Sequence, residues 1–161
     1  MNVKRKGNWK TYAFWIGFTL LTGAVSAWLT RDGTMAYKTT LVKPPLSPPA
    51  IVFPIVWSVL YVLMGVSMAR VRLADVNPLQ ERSMLLYLVQ LAFNFCWSIY
   101  FFNLRAYLFA FAWLVVLWGF ILWMVLTFRR VDKAAARLQI PYLLWVAFAG
   151  YLNFGVWQLN G

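Results

Sequence analysis

Long apolar runs separated by short polar connectors dominate the chain. Crossing a bilayer as a helix takes about 17 to 25 predominantly apolar residues. Five runs meet that length: Thr11 to Leu29, Ile51 to Ala69, Ser83 to Phe102, Ala106 to Phe128 and Ile140 to Leu159. The acidic residues Asp32, Asp75, Glu81 and Asp132 all fall between the runs, as the cost of burying charge in lipid requires. The runs lack the alternation of a membrane barrel, and a helix satisfies its own backbone hydrogen bonds in lipid where an isolated strand cannot. The pattern predicts an all-α polytopic membrane protein, a bundle of five transmembrane helices in one domain over residues 1–161.

Composition strengthens this. Of 161 residues, 63% are hydrophobic and 12% charged, about half the charged fraction of a soluble domain. That much apolar surface cannot all be buried in one core, so membrane lipid must cover the remainder. The net charge of +11 does not indicate nucleic acid, because the basic residues lie between apolar runs and not along one face. Lys4, Arg5, Lys6 and Lys10 precede the first run; Arg70, Arg72 and Arg82 lie between the second and third; Arg129, Arg130, Lys133 and Arg137 lie between the fourth and fifth. These eleven share one side. Arg31, Lys38, Lys43 and Arg105 occupy the other. The positive-inside rule puts the N-terminus in the cytoplasm and the C-terminus outside, in what is expected to be a bacterial cell membrane. The first run has a basic start and small residues at Gly23, Ala24 and Ser26, but it is longer than a signal-peptide core and is expected to stay as a helix.

The available chemistry is narrow. There is no histidine, and Cys96 is the lone cysteine, so no internal disulfide can form. The commonest general base and metal ligand is missing. No run contains a carboxylate pair or a serine with a visible base, and a proton-coupled pump would place an ionisable group within a span. No catalytic residue, metal site or required cofactor is expected.

What remains is aromatic and amide. Of ten tryptophans, Trp9, Trp15, Trp28 and Trp157 lie near run ends, where indole favours the interface. Trp113, Trp118 and Trp123 are open to lipid or to a neighbouring helix. Trp57, Trp97 and Trp145 sit deeper, with polar neighbours: Ser58 and Tyr61 beside Trp57, Asn94 and Ser98 beside Trp97. Such a cluster can stack on a flat ligand and donate an indole hydrogen bond. Gln90 and Asn94 are four apart and share a helix face. They serve either as interhelical glue, worth about 1 kcal/mol or less each, or as ligand contacts in an internal pocket. Asn153 carries the same two readings. Gly65 with Ala69, and Ala106 with Ala110, have the spacing of close helix contacts within or between chains.

The longest connector, from Thr30 to Ala50, ends in Lys43-Pro-Pro-Leu-Ser-Pro-Pro49. Proline makes such a stretch stiff and irregular. It reads either as a lid over a pocket or as a rigid spacer leading into the second run.

Three strings carry a resemblance. Lys43 to Tyr61 (KPPLSPPAIVFPIVWSVLY), Gln90 to Phe102 (QLAFNFCWSIYFF) and Pro141 to Asn153 (PYLLWVAFAGYLN) resemble, in this order, the signature segments of the TspO/translocator protein family of tryptophan-rich sensory proteins. The resemblance implies a five-helix bundle, commonly a homodimer, whose pocket is closed by the loop after the first helix and binds porphyrins such as protoporphyrin IX. Matching positions imply ligand contacts at Trp57, Tyr61, Gln90, Asn94, Trp97, Trp145, Phe148 and Ala149, with Tyr37 on the lid. Bulk at the position of Ala149 affects ligand binding in the family. The chain departs from the pattern at Leu46 and Ile51, where the family often has tryptophan, and Tyr151 is followed by no basic residue, so the proposed cholesterol-contact pattern is absent. The function this implies is a membrane receptor or sensor for porphyrins and similar flat apolar ligands. Indoles would stack on the ring, and loop lysines such as Lys38 or Lys43 could pair with its propionates. Transport of such molecules and light- or oxygen-dependent porphyrin degradation are the alternatives.

Overall fold

The computed structural model describes residues 8–161. Among these residues the chain is helical and contains no strand. The elements are α1 (Asn8–Leu29), α2 (Arg31–Thr40), α3 (Val52–Leu73), α4 (Gln80–Ser98), a π-helical turn (Ile99–Asn103), α5 (Tyr107–Val131), α6 (Lys133–Leu138) and α7 (Ile140–Asn160). Five helical stretches are long and apolar enough to span a bilayer, and they correspond to the five runs with ends shifted by a few residues. Lys4, Arg5 and Lys6 of the N-terminal basic group lie outside the described residues.

Proline and small residues decide where helices begin and how closely they pack. Pro54 and Pro141 sit in the first turns of α3 and α7, where a missing N–H costs nothing. α1 lies along α3 through Gly65. A Cβ at this glycine would stand 2.5 Å from the Ile16 Cα, so only glycine permits the approach. Gly65 and Ala69 are both fully buried, and Ala110 is too. This small-residue spacing therefore serves contacts inside the chain. The α1–α3 pair meets α4 through Trp15, whose ring stands edge-on to Tyr87 at 5.6 Å, and through a hydrogen bond between the Thr19 and Tyr87 hydroxyls. α5 packs against both α4 and α7.

At the end of the bundle that carries Arg70 and Arg129, α6 tucks under α3, and the Ser67 hydroxyl donates to the Ala135 carbonyl at 2.8 Å. Asp132 caps α6 by accepting from the Ala135 N–H at 2.9 Å, and its other carboxylate oxygen accepts from Arg70 at 2.9 Å. Burial alone would raise the Asp132 pKa, but the Ala135 N–H and the Arg70 guanidinium outweigh it and hold the carboxyl below its ordinary range.

Two features differ from the sequence expectation. The connector after α1 is not irregular throughout, because its first half folds as α2. Asp32 in the first turn and Lys38 in the last suit the helix dipole. Trp15 is not an interface residue. α1 starts at Asn8, so Trp15 lies two turns inside it, facing α4 and 9% exposed. Trp9 and Trp28 are largely exposed, as interface indoles are. On α5, Trp113 and Trp118 turn inward, their N–H groups donating to the Phe93 and Leu143 carbonyls at 2.9 and 3.1 Å, while Trp123 is exposed.

Candidate functional site

At the end of the bundle opposite α6, the helices leave a cavity of about 460 Å³ between the α1–α3 pair and α7. α3 and α7 meet there mainly through rings: Phe53 against Trp145 at 6.0 Å and Trp57 against Tyr142 at 6.2 Å. Trp57 and Tyr61, one turn apart on α3, form one wall, their ring centres 5.5 Å apart. Trp97 on α4, stacked on Phe101 of the π-turn at 5.4 Å, forms a second. Trp145 and Ala149 on α7 form a third. Gly23 and Ser26 of α1 complete the wall, and Gly23 leaves room for the Tyr61 ring, which lies where its Cβ would be.

The π-turn explains why two consecutive phenylalanines both reach the cavity. Its wider winding is seen in the Leu104 N–H donating to the Ile99 carbonyl five residues back at 3.0 Å. Phe101 is thereby packed inward with Phe102 beside it, their rings perpendicular at 4.9 Å. Such π insertions often occur at functional sites.

α2 and the proline-rich segment roof the cavity. Tyr37 projects from α2 onto Phe101 and Phe102, at 5.7 and 5.8 Å. Burial pushes its phenol pKa up, so it remains a neutral hydroxyl. The second half of the connector is pinned to α7. Asn160 accepts from the Val42 N–H at 3.0 Å and donates to the Val42 carbonyl at 2.8 Å. The Tyr151 hydroxyl donates to the Pro45 carbonyl at 2.8 Å. Gly155 lets Pro44 approach so closely that a Cβ there would stand 2.5 Å from the Pro44 Cβ. Residues from both halves of the connector, among them Tyr37, Lys38, Lys43 and Pro48, line the cavity.

Six of the nine sequence-derived candidates line the cavity: Tyr37, Trp57, Tyr61, Trp97, Trp145 and Ala149. The other three sit elsewhere. Gln90 and Asn94 are buried one layer deeper in a hydrogen-bond network. The Tyr142 hydroxyl donates to Gln90 at 2.8 Å and accepts from Asn94 at 2.9 Å, and Asn94 accepts from the Tyr61 hydroxyl at 3.2 Å. Both amides act as interhelical glue, and Asn94 reaches the cavity only through Tyr61. Phe148 packs outside the lining, stacked on Tyr151 at 6.2 Å. The indole N–H of Trp97 is already taken, since Asn153 accepts it at 3.0 Å and donates in turn to the Tyr107 carbonyl at 2.8 Å. Trp145 differs: its buried indole nitrogen has no hydrogen-bond partner among the described residues.

Leu46 and Ile51 do not line the cavity and are 81% and 66% exposed. Phe101, which extends the Gln90–Asn94–Trp97 stripe, also lines the cavity, as do Phe53, Phe102 and Arg31, which no sequence signal had singled out. The phenylalanines lay inside the quoted strings, but nothing in spacing separates a cavity phenylalanine from a lipid-facing one.

The fold and site define a polytopic helical membrane protein with a roofed aromatic cavity at one end of its bundle. Comparison with known proteins gives the family: the TspO/MBR family profile matches residues 15–158, and the chain belongs to that family. It is similar to the tryptophan-rich protein TspO of Chlorobaculum tepidum, 40% identical over 93% of this chain and 96% of that one. It is also similar to protein CrtK of Rhodobacter capsulatus, 40% identical over 78% of this chain and 79% of that one. The translocator protein of Bos taurus is 34% identical over 90% and 89%.

Proposed function

We propose that the chain is a membrane receptor or sensor whose cavity binds porphyrins, with protoporphyrin IX as the representative ligand, and similar flat apolar molecules. Family membership supports the sensor or receptor role. The observation that carries the ligand class is the cavity wall. Indoles and phenols surround an apolar space, with Trp57 and Tyr61 on α3, Trp97 on α4 and Trp145 on α7.

Binding is favoured over transport by the floor of the cavity. Below Tyr61 lies the Tyr142–Gln90–Asn94 network, and beyond it Met64, Met68 and Tyr87 are fully buried, so the space does not continue through the bundle. The setting is a bacterial cell membrane, with the N-terminus cytoplasmic and the roof outside. The asymmetry of basic residues supports this orientation. Pairing of two copies as a homodimer belongs to the same proposal and is supported by family membership. Titration of purified protein with protoporphyrin IX, followed by tryptophan quenching, tests the ligand assignment. Trp57→Phe and Trp145→Phe each weaken binding several-fold if the rings lie against these indoles; unchanged affinity in both removes the cavity as the site.

A further inference from the structure

Two arginines meet at the base of the bundle, on the seam between α4 and α5. Rings fix the register of that seam: Phe93 stacks on Trp113 at 4.3 Å and tilts against Phe120 at 5.0 Å. Arg82 precedes Phe93 by three turns of α4, so it lies on the stripe that meets α5. Arg130 follows Phe120 by ten residues, about a quarter turn round α5 from it, on the exposed face that carries Trp123 and Leu126. Each arginine therefore stands about 15 to 17 Å beyond the phenylalanine pair, at one level. Asn77 ties this level together. Its amide donates to the Arg130 carbonyl at 3.3 Å, and its side-chain oxygen accepts from the Leu79 N–H at 2.9 Å, at the start of α4. Both arginines are exposed, and neither joins an ion pair among the described residues. The acids at this end are turned elsewhere. Asp132 pairs with Arg70 and Glu81 with Arg72, both on α3, and Asp75 joins no ion pair among the described residues.

Arg82 gains nothing from its own helix, since it stands in the first turn of α4, where the dipole disfavours a cation. The bias of basic residues toward one side of a membrane depends on their sum and does not require two of them on one seam. Two like charges there repel, and an anion between them removes the cost. Toward the bilayer centre from this pair, Leu85 on α4 and Trp123 and Leu126 on α5 are exposed apolar side chains. Along the seam, apolar wall, indole and cations follow the order of a phospholipid: acyl chain, glycerol esters, phosphate. We infer that the base of the α4–α5 seam binds one anionic phospholipid, its phosphate held between Arg82 and Arg130 and an acyl chain lying along Leu85 and Trp123. Arginine suits this role, because its planar fork bonds phosphate oxygens in pairs, and basic pockets between membrane helices hold acidic headgroups. Nothing in this site depends on what the cavity binds.

Native mass spectrometry tests this on the purified protein in a neutral detergent, titrated with dioleoylphosphatidylglycerol or dioleoylphosphatidylcholine. The wild type takes up one phosphatidylglycerol per chain, saturably and roughly fivefold or more tightly than phosphatidylcholine. In Arg82→Gln with Arg130→Gln the preference falls to near one. Arg129→Gln with Arg137→Gln removes the same charge from the same end and keeps the preference, because Arg129 lies about half a turn round α5 from Phe120. Equal affinity of the wild type for both lipids overturns the assignment. So does an equal loss in both double variants, which would mean diffuse attraction without a site. Glycerol 1-phosphate carries the headgroup ester without chains and leaves lipid uptake unchanged; full competition by it at matched concentration would make the seam a site for free phosphate esters and overturn the lipid. Should Arg82→Gln with Arg130→Gln not fold, the wild-type preference and its saturation at one lipid per chain decide, and uptake without saturation overturns the site.

Discussion

Asn153 shows how a single amide can shape this site without touching a ligand. It accepts from the Trp97 indole and donates to the Tyr107 carbonyl, fixing the ring that forms one cavity wall. Asn153→Leu keeps the volume but leaves the Trp97 N–H buried and unpaired. We expect a loss of about 1 to 3 kcal/mol, measured by thermal unfolding in detergent. Asp132 acts at the opposite end. Its pKa is lowered in the folded protein, so its stabilisation is fully present above the unfolded-state value near pH 4 and disappears as pH falls through the lower folded value. The chain has only four acidic residues, so this carboxyl weighs heavily in acid stability. Asp132→Asn retains a capping side chain and loses the charge. The expected outcome is a less stable protein at neutral pH whose melting temperature declines less than that of wild type between about pH 5 and 3; identical declines would show that Arg70 and the cap contribute nothing through the charge.

At the scale of elements, the close contact of α1 with α3 depends on Gly65. Gly65→Ala drives a methyl group against the Ile16 backbone, and overpacking of this kind costs about 1 to 3 kcal/mol. The roof depends on the amide of Asn160 and the hydroxyl of Tyr151. Removing both, in Asn160→Ala with Tyr151→Phe, frees the connector. Tryptic cleavage after Lys38 then accelerates several-fold while the bundle melts near the wild-type temperature. Unchanged cleavage would mean that the contact of α2 with the π-turn holds the roof unaided.

The spanning elements were legible in the sequence because hydrophobic length and the exclusion of acids are direct consequences of lipid. α2 was not legible, because four prolines nearby suggested an irregular connector and a ten-residue helix has no spanning-length run. The π-turn left no trace in composition. Trp57, Trp97 and Trp145 stood out through their polar neighbours, whereas Trp15 was misread because the start of α1 was placed three residues late. The roles of Gln90 and Asn94 could not be read from spacing alone: sharing a face does not say what the face meets, and here it meets Tyr142.

For the molecule as a whole, the structure separates two jobs along the bundle axis. One end, with α6, Asp132 and the basic connectors, is a packed base. The other holds the cavity and its roof. This division makes the central claim, that ligand occupies the space between α1, α3 and α7, open to a direct test. Ala149 is small, lines the cavity and is 8% exposed. The test is the dissociation constant of protoporphyrin IX for wild type and Ala149→Phe, by tryptophan quenching in detergent, with thermal unfolding run alongside to confirm folding. A folded Ala149→Phe protein that binds at least roughly tenfold more weakly, a loss of about 1.4 kcal/mol or more, is the predicted result. A folded variant with wild-type affinity would contradict the account.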